Sequence, residues 1–309
     1  MRPPGAASTV RGMAELGFDG KVAIITGAGG GLGRSHALEL ARRGALVVVN
    51  DLGGSVDGTG SGTTAAQAVV DEIAAAGGEA VANYDSVATP EGGRAIVQTA
   101  LDSWGRIDIV VNNAGILRDA SFKNMDADKV SAVLDVHLRG AFNVTQPAWE
   151  HMRNQNYGRI VSTASGAGVF GNFGQTNYGA AKMGLVGLTR VLAVEGAKNN
   201  IKANAIAPVA KTRMTEDILG PAADRLLPEL ITPVVAYLAH EDCPVSGELY
   251  SCGGGRVARV FLGVTPGFTD AALTPELVRD HFDQIRDESD YEVPANLNEE
   301  LMIAFKALG

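Results

Sequence analysis

The chain has 309 residues, 46% of them hydrophobic, and a formal net charge of −9. This composition supports a large buried core and excludes a disordered chain, and the length fits one α/β domain of ~200–250 residues with tails left over. The negative charge argues against a phosphate backbone as the partner, so we expect no nucleic acid to bind.

Apolar runs rich in Val, Ile and Ala alternate along the chain with segments of helical spacing. The runs predict seven strands, at residues 21–26, 45–50, 79–84, 107–112, 159–163, 201–207 and 248–251. The intervening segments predict helices, at residues 32–43, from the end of the glycine-rich stretch 51–62 to residue 76, and at 91–104, 126–154, 177–198 and 233–240. Alternation of this kind predicts repeated β-α-β units.

Strands that are apolar throughout belong to a parallel sheet that is buried on both faces. Because crossovers between parallel strands are right-handed, we expect a doubly wound, Rossmann-type α/β fold with about seven strands and helices on both faces. We divide the chain into a flexible N-terminal tail (1–17), a single Rossmann-type domain (18–255) and a C-terminal extension (256–309) packed on the core.

The only two cysteines, Cys243 and Cys252, lie nine positions apart without a cluster of histidines beside them, which is not the spacing of metal ligands. We therefore expect free thiols and no bound metal. No apolar run approaches the ~20 residues that cross a bilayer, and the first dozen residues lack the apolar core of a secretory signal. The sequence predicts a cytoplasmic protein that does not bind a membrane.

The first predicted strand runs into Thr-Gly-Ala-Gly-Gly-Gly-Leu-Gly at 26–33, directly before a predicted helix. Glycines allow a sharp turn and a close approach of the backbone to a pyrophosphate. The N-terminus of the helix offers N–H groups to the phosphates. A glycine cluster alone is a weak signal, but its position between a strand and a helix is typical of a dinucleotide site.

The second predicted strand ends at Asp51, eighteen residues after Gly33. A carboxylate at this position accepts hydrogen bonds from the ribose hydroxyls of the cofactor. It also repels the 2′-phosphate of NADP, at a cost of ~1 kcal/mol for charges about 4 Å apart even in water. Arg34 is the one nearby residue that would soften this preference. We predict NAD rather than NADP.

The candidate catalytic residues are Ser165, Tyr178 and Lys182. Tyr178 and Lys182 lie four residues apart on a predicted helix and therefore share one face. A phenol has a pKa near 10, and an ammonium group beside it favours the phenolate, which suits proton transfer near neutral pH. Ser165 follows the fifth predicted strand, and its hydroxyl is suited to holding the substrate oxygen.

Two further motifs are Asn-Asn-Ala-Gly at 112–115 and Asn-Ala-Ile-Ala-Pro at 204–208. Together with the glycine loop and the candidate catalytic residues, they make the sequence resemble a short-chain dehydrogenase/reductase from about residue 18 to 252. The resemblance implies a nicotinamide cofactor and a Rossmann-type sheet of seven strands. It also implies homodimers or homotetramers that pair the two long helices, at 126–154 and 177–198.

Segments 49–54, 81–87, 115–119, 136–140 and 171–175 are unusual within that family. They resemble the (3R)-hydroxyacyl-CoA dehydrogenase domain of type 2 peroxisomal multifunctional enzymes, also known as 17β-hydroxysteroid dehydrogenases. The resemblance implies that Tyr178 is the acid/base, that Lys182 assists it, and that Ser165, Gln175 and Tyr178 contact the substrate. The residues that it implies for cofactor binding are Gly27, Gly31, Leu32, Gly33, Asp51, Ser86, Val87, Asn113, Ala114, Gly115, Tyr178, Lys182 and Pro208.

The sequence also departs from the family pattern. His137 stands where many members carry an Asn that completes a proton relay. His137 is our candidate for that relay, and the alternative is a hydrogen-bonded buried histidine without a catalytic part. Val209 replaces the usual glycine after the family's proline. The segment 215–228, where the family has its substrate lid, is short, and we expect the extension after Gly255 to cover part of the cleft.

The most concrete interpretation is an NAD-dependent dehydrogenase that interconverts (3R)-3-hydroxyacyl-CoA and 3-oxoacyl-CoA. One alternative is a 3-oxoacyl-carrier-protein reductase, which usually prefers NADPH and is therefore disfavoured by Asp51. A second is a hydroxysteroid dehydrogenase, whose flat substrate suits an apolar cleft near Phe170 and Phe173. The alternative of another class is a silent NAD-binding regulator, which has no chemical need for the set Ser165, Tyr178 and Lys182.

Overall fold

The computed structural model describes residues 15–210 and 224–307. Within these ranges a single sheet contains the strands β1 Val22–Thr26, β2 Leu46–Asn50, β3 Glu79–Asn83, β4 Ile109–Asn112, β5 Gly158–Thr163, β6 Ile201–Pro208, β7 Leu249–Gly253 and β8 Arg256–Val260. The helices are α1 Gly31–Arg42, α2 Thr64–Ala75, α3 Pro90–Trp104, α4 Ala127–Leu134, α5 Gly140–Gln155, α6 Gly166–Phe170, α7 Thr176–Gly196, α8 Thr232–Ala239, α9 Pro275–Asp280, α10 Phe282–Ile285 and α11 Leu297–Ala307.

The strands are arranged in the order β3-β2-β1-β4-β5-β6-β7-β8. Strands β1 to β7 are parallel, and β8 is antiparallel to β7. This confirms the predicted doubly wound, Rossmann-type α/β fold, with one strand more than predicted. The strand order changes direction between β1 and β4, and open α/β sheets bind ligands in the crevice at such a point.

The additional strand β8 forms a hairpin with β7. Gly254 and Gly255 connect the two strands with φ values of 56° and 82°, and two successive residues with positive φ give the tight turn that suits a hairpin. The pairing runs from Gly253 with Arg256 to Leu249 with Val260. The first five residues of the segment that we predicted as an extension therefore form the edge strand of the sheet.

The strands carry runs of apolar residues because helices cover both faces of the sheet. On one face, Ile25 of β1 belongs to a buried cluster with Leu40 of α1 and Ile73 of α2. On the opposite face, its neighbour Ile24 belongs to a second cluster that includes Ile96 of α3. Successive residues of a strand point to opposite faces of the sheet. Each strand therefore needs apolar residues at both its odd and its even positions.

The helix predicted at 126–154 is interrupted. Between α4 and α5, residues Asp135–Arg139 form a single π-helical turn. His137 lies on this turn and is buried. Single π turns inside α-helices are frequent at functional sites, and here the wider turn carries the candidate relay residue.

The remaining described residues of the C-terminal segment contain α9 to α11. Arg190 of α7 donates from Nη2 to the carbonyl of Pro294 at 2.9 Å, which ties this segment to the domain. The boundaries that we predicted for the domain and the extension stay a prediction. Most of the lid segment 215–228 and of the tail 1–17 lies outside the described residues. Within the described ranges, no helix combines the length and the apolar character needed to cross a membrane.

Candidate active site

The predicted site residues lie at one edge of the sheet. The glycine loop follows β1, Asp51 follows β2, Ser86 comes after β3, Asn113 follows β4, and Ser165 comes after β5. Because these strands are parallel, their carboxyl ends share one edge, and this is the edge where doubly wound sheets bind ligands. The structure therefore brings together residues that are far apart in the sequence.

The glycine loop is packed so closely that side chains would not fit. A Cβ atom on Gly27, whose φ is 63°, would lie 2.7 Å from Cα of Ala114, and one on Gly33 would lie 2.2 Å from the oxygen of Gly27. Asn113 braces the loop, because its Nδ2 donates to the carbonyls of Thr26 and Gly27 at 3.0 and 3.1 Å. Helix α1 has no side-chain hydrogen bond at its N-cap, so its first N–H groups suit a phosphate.

The carboxylate of Asp51 is fixed beside the glycine loop. Its Oδ2 accepts a hydrogen bond from the N–H of Gly29 at 2.8 Å, and its Oδ1 accepts one from the N–H of Gly53 at 2.7 Å. Each oxygen keeps acceptor capacity for a ribose hydroxyl. Arg34 does not pair with Asp51, because its Nε and Nη2 donate to Glu72 at 3.0 and 2.5 Å. Arg34, which we expected to soften the preference for NAD, is thus paired with Glu72 of α2.

Three further predicted cofactor positions lie along the same edge. Ser86 accepts a hydrogen bond at Oγ from the N–H of Ala88 at 3.2 Å. Val87 is buried, with its carbonyl bonded to Nδ2 of Asn143 at 2.8 Å. Pro208 ends β6 opposite Cys252. Their binding roles stay predictions.

The hydroxyl groups of Ser165 and Tyr178 converge. Ser165 caps α6 by accepting a hydrogen bond from the N–H of Ala167 at 3.1 Å, and its hydroxyl lies near enough to the phenol of Tyr178 to lower the pKa of that phenol. Burial raises the pKa of Tyr178, the neighbouring hydroxyl of Ser165 partly opposes that rise, and the nearby charge of Asp119 adds to it. Tyr178 is therefore a phenol until positive charge is added beside it.

Lys182 supplies that charge only in part, because it is fully buried. Its Nζ donates to the carbonyl of Thr163 at 2.5 Å and lies 5.4 Å from the centre of the Tyr178 ring. Burial lowers the pKa of Lys182 to about 7. The predicted pair thus shares one helix face, with a lysine whose charge changes near neutral pH.

Gln175 lies in the wall of the cleft and both ends of its amide are engaged. Its Nε2 donates to Oδ2 of Asp119 at 2.7 Å, and its Oε1 accepts from Nδ2 of Asn172 at 2.9 Å. The N–H of Ala120 also donates to the carbonyl of Gly174 at 2.9 Å. The amide keeps a second N–H and a second lone pair on Oε1 for a further partner, and the predicted contact with the substrate stays a prediction.

His137 faces the backbone of Ile116. Its Nε2 lies 3.0 Å from the nitrogen and 2.8 Å from the oxygen of Ile116, while its Nδ1 has no partner among the described residues. Burial, and secondarily the charge of Lys182, lower the pKa of His137 well below its usual value. A neutral ring edge-on to Tyr178, with centroids 5.2 Å apart, fits both the relay and the structural alternative.

Residues that the sequence did not single out complete the site. Asn177 donates from Nδ2 to the carbonyls of Arg118 and Lys129 at 3.0 and 3.1 Å, which fixes the start of α7. Asp119, as described above, holds Gln175 and raises the pKa of Tyr178. These contacts join residues up to 59 positions apart, and no spacing in the sequence signals them.

The chain matches the family model for short chain dehydrogenase over residues 21–220 and therefore belongs to that family. It is 51% identical over 289 residues to the peroxisomal multifunctional enzyme type 2 of Mus musculus. The match covers 92% of this chain and 39% of the mouse protein, so the chain spans about two fifths of that relative. The resemblance that the sequence motifs predicted is thus confirmed.

A shorter relative and a solved structure are also similar. The chain is 41% identical over 262 residues to the hydroxyacyl-CoA dehydrogenase ChsB1 of Mycobacterium tuberculosis, covering 79% of this chain and 80% of that protein. A 7α-hydroxysteroid dehydrogenase complexed with NADH and 7-oxo glycochenodeoxycholic acid superimposes with a TM-score of 0.70 at 30% identity, covering 78% of this chain and 95% of that one. Family members use NAD or NADP.

The arrangement suits oxidation of an alcohol and the reverse reduction. A bound nicotinamide ring supplies the hydride acceptor or donor. The glycine loop, the N-terminus of α1 and Asp51 fit the cofactor, because the loop leaves a cradle that side chains would fill. In such a reaction Ser165 would hold the substrate oxygen, and Tyr178 would take the hydroxyl proton while the charge of Lys182 would stabilise the phenolate.

Replacing Lys182 by Met should stabilise the protein in the absence of cofactor. The folded pKa of about 7 lies below the ordinary value of 10.5, so folding is penalised fully below pH 7 and the penalty disappears as pH rises to 10.5. At pH 7 we expect a net gain of roughly 1–3 kcal/mol after the loss of one hydrogen bond, or about 2–10 °C in Tm. Thermal unfolding measured from pH 6 to pH 10 should show the gain shrinking with rising pH.

Lys202→Met is the matched control. Lys202 is half-buried and also donates to a backbone carbonyl, that of Cys243, and its replacement should give no gain in Tm. A Lys182→Met variant that is less stable than wild type at pH 7 would contradict the account of a buried, destabilising lysine.

Proposed function

We propose that this protein is an NAD-dependent dehydrogenase that interconverts (3R)-3-hydroxyacyl-CoA and 3-oxoacyl-CoA. The observation that carries the reaction class is the pair of neighbouring hydroxyls of Ser165 and Tyr178, with Nζ of Lys182 5.4 Å from the centre of the Tyr178 ring on the same helix. The acyl-CoA substrate is supported by the 51% identity to a type 2 multifunctional enzyme and the 41% identity to a hydroxyacyl-CoA dehydrogenase.

The rim of the cleft supports an apolar substrate. Phe170 ends the short helix that begins after Ser165, Phe173 lies two residues before Gln175, and Phe122 lies two residues after Ala120. Their side chains are 74%, 89% and 78% exposed. Large exposed apolar side chains beside a polar centre are typical of a binding cleft for an apolar ligand, here the acyl chain.

The same rim favours a second candidate, a hydroxysteroid dehydrogenase, because a flat ring system also packs on exposed aromatic side chains. The similarity to a 7α-hydroxysteroid dehydrogenase supports this alternative. A 3-oxoacyl-carrier-protein reductase fits less well, since Asp51 disfavours the phosphate of NADPH.

Cofactor reduction with matched substrates tests the proposal. NADH formation is measured with 3-hydroxyacyl-CoA esters of several chain lengths, a 3-hydroxyacyl carrier protein and hydroxysteroids at equal concentration. We expect the highest kcat/KM with an acyl-CoA. Activity confined to hydroxysteroids would assign the second candidate, and activity confined to the carrier protein would assign the third.

The cofactor preference has its own test. The wild type should have a higher kcat/KM with NAD than with NADP, and Asp51→Ser should narrow the ratio by removing the carboxylate beside Gly29. Asp71→Ser removes an equal charge from the exposed surface of α2 and should leave the ratio unchanged. A wild type that prefers NADP would contradict the role of Asp51.

Exposed apolar side chains on α5 and α7 support a homo-oligomer. Phe142 is 50% exposed on α5, and Val191 and Val194 are 55% and 59% exposed on α7. These are the helices that the family resemblance pairs between subunits, so we propose a homodimer, or a homotetramer built from it. The similar mouse enzyme is named peroxisomal, and the cytoplasmic location expected from the sequence stays a prediction.

A further inference from the structure

The segment between β2 and α2 folds into a closed loop, which we call the clasp and define as residues 53–62. Its neck is shut, because the N–H of Gly62 donates to the carbonyl of Leu52 at 2.9 Å. Its tip is organised by the carboxylate of Asp57, whose Oδ1 accepts from Oγ of Ser55 at 2.5 Å and from Oγ1 of Thr59 at 2.8 Å. The clasp is therefore a folded unit and not an extended connection.

The tip of the clasp is docked on the segment that follows β4. The N–H of Leu117 donates to the carbonyl of Val56 at 3.0 Å, and Nε of Arg118 donates to the carbonyl of Asp57 at 2.9 Å. A Cβ atom on Gly58 would lie 3.0 Å from Cδ1 of Ile116, so the tip also touches an apolar side chain. Two hydrogen bonds and this contact hold the tip.

The strand order shows what the clasp crosses. The clasp leaves the carboxyl end of β2 and reaches the segment after β4, and β1 lies between those two strands. The glycine loop follows β1 at the same edge of the sheet. The clasp consequently passes over the end of β1, across the crevice between the glycine loop and the segment 113–118.

We propose that the clasp closes over the bound dinucleotide and that Arg118 is the residue that latches it. The inference rests on the cofactor site of the proposed function, since the same glycine loop and Asp51 would hold the dinucleotide beneath the clasp. A ligand in that crevice leaves only after the bonds from Leu117 and Arg118 to the tip break. Arg118 therefore controls how long the cofactor stays bound.

The other side of the latch is fixed, so the clasp is the part that moves. The carbonyl of Arg118 accepts a hydrogen bond from Nδ2 of Asn177 on α7. The N–H of Ala120 donates to the carbonyl of Gly174 just before that helix. The segment after β4 is thus tied to the helix that carries Tyr178, whereas the clasp has glycines with positive φ at residues 53, 58 and 60, and glycine has more backbone conformations accessible than other residues.

The test measures cofactor release directly. Arg118→Met keeps the length of the side chain but removes the donor, and one hydrogen bond of this kind corresponds to roughly a 2- to 10-fold change. Stopped-flow fluorescence should show NADH dissociating about 2- to 10-fold faster from Arg118→Met than from wild type. Arg94→Met, at an exposed arginine that bonds to Glu91 on α3, should release NADH at the wild-type rate. Arg118→Lys, which restores a donor, should partly restore slow release.

Amide hydrogen exchange distinguishes a latch function of Arg118 from a purely structural role of that residue. In the wild type, NADH should slow exchange at residues 53–62 and at Leu117, and Arg118→Met should speed exchange there without cofactor. Faster exchange with unchanged NADH release would overturn the proposal, as would unchanged exchange. Absence of NADH binding by the wild type would refute both this proposal and the proposed function, whereas binding with unchanged release refutes the clasp alone.

Discussion

Replacing Tyr178 by Phe should lower kcat by roughly 10²–10⁴-fold, the usual contribution of a general acid–base group. The phenylalanine ring keeps the edge-on contact with His137 and the place of the tyrosine ring beside Lys182. It removes only the hydroxyl, which lies near Ser165. The substrate hydroxyl then has no group to receive its proton. Steady-state kinetics with the best acyl-CoA substrate measures the loss.

The same variant should still bind NADH, because the glycine loop and Asp51 are untouched. Fluorescence titration with NADH and thermal unfolding check that only the chemistry is lost. Tyr237→Phe is the matched control: it removes a tyrosine hydroxyl from a side chain on α8 that is 44% exposed, and it should leave kcat unchanged. Retention of more than about a tenth of wild-type kcat by Tyr178→Phe would contradict its role as the acid/base.

The sheet was predictable because a strand that is buried on both faces appears in the sequence as a continuous apolar run. The strand Leu46–Asn50 has four of its five residues buried and therefore carries an unbroken apolar run, Leu-Val-Val-Val, before Asn50. The edge strand Arg256–Val260 was missed because its two arginines interrupt the apolar run and most of its side chains are exposed. The pair Gly254-Gly255 was a usable signal, since two glycines between short runs predict a tight hairpin.

The candidate catalytic residues could be proposed from the sequence because their chemistry needs fixed residue types at fixed spacings, as in the Tyr178 and Lys182 pair. Their environment could not. The π turn that carries His137, the bond between Gln175 and Asp119, and the docking of the clasp on Arg118 all join segments that are distant in the sequence. Such contacts depend on the assembled sheet edge, which no local pattern encodes.

The enantiomer preference is the second large effect that we expect. In the proposed complex, Ser165 and Tyr178 both bond the substrate oxygen, because their hydroxyls already converge. A nicotinamide ring held through the glycine loop and Asp51 would fix the direction of hydride transfer. With both directions fixed on one carbon, only one enantiomer can place its acyl chain and its thioester arm without a clash. We expect that enantiomer to be 3R, as the resemblance implies.

The 3S enantiomer would have to give up a bond to Ser165 or Tyr178, or press its chain into the wall of the cleft. An unpaired buried polar group costs ~1–3 kcal/mol, which corresponds to roughly 5- to 150-fold in kcat/KM, and misplacement of the reacting carbon adds to the loss. The exposed rim at Phe170 and Phe173 packs on the acyl chain of the correct enantiomer and should not reverse this order.

NADH formation from each pure enantiomer of a 3-hydroxyacyl-CoA, at equal concentration and with NAD in excess, tests the account most directly. The account predicts rapid NADH formation from the 3R enantiomer, with a kcat/KM for the 3S enantiomer that is lower by at least the 5- to 150-fold estimated from an unpaired polar group. Equal rates for the two enantiomers, or a preference for 3S, would contradict it.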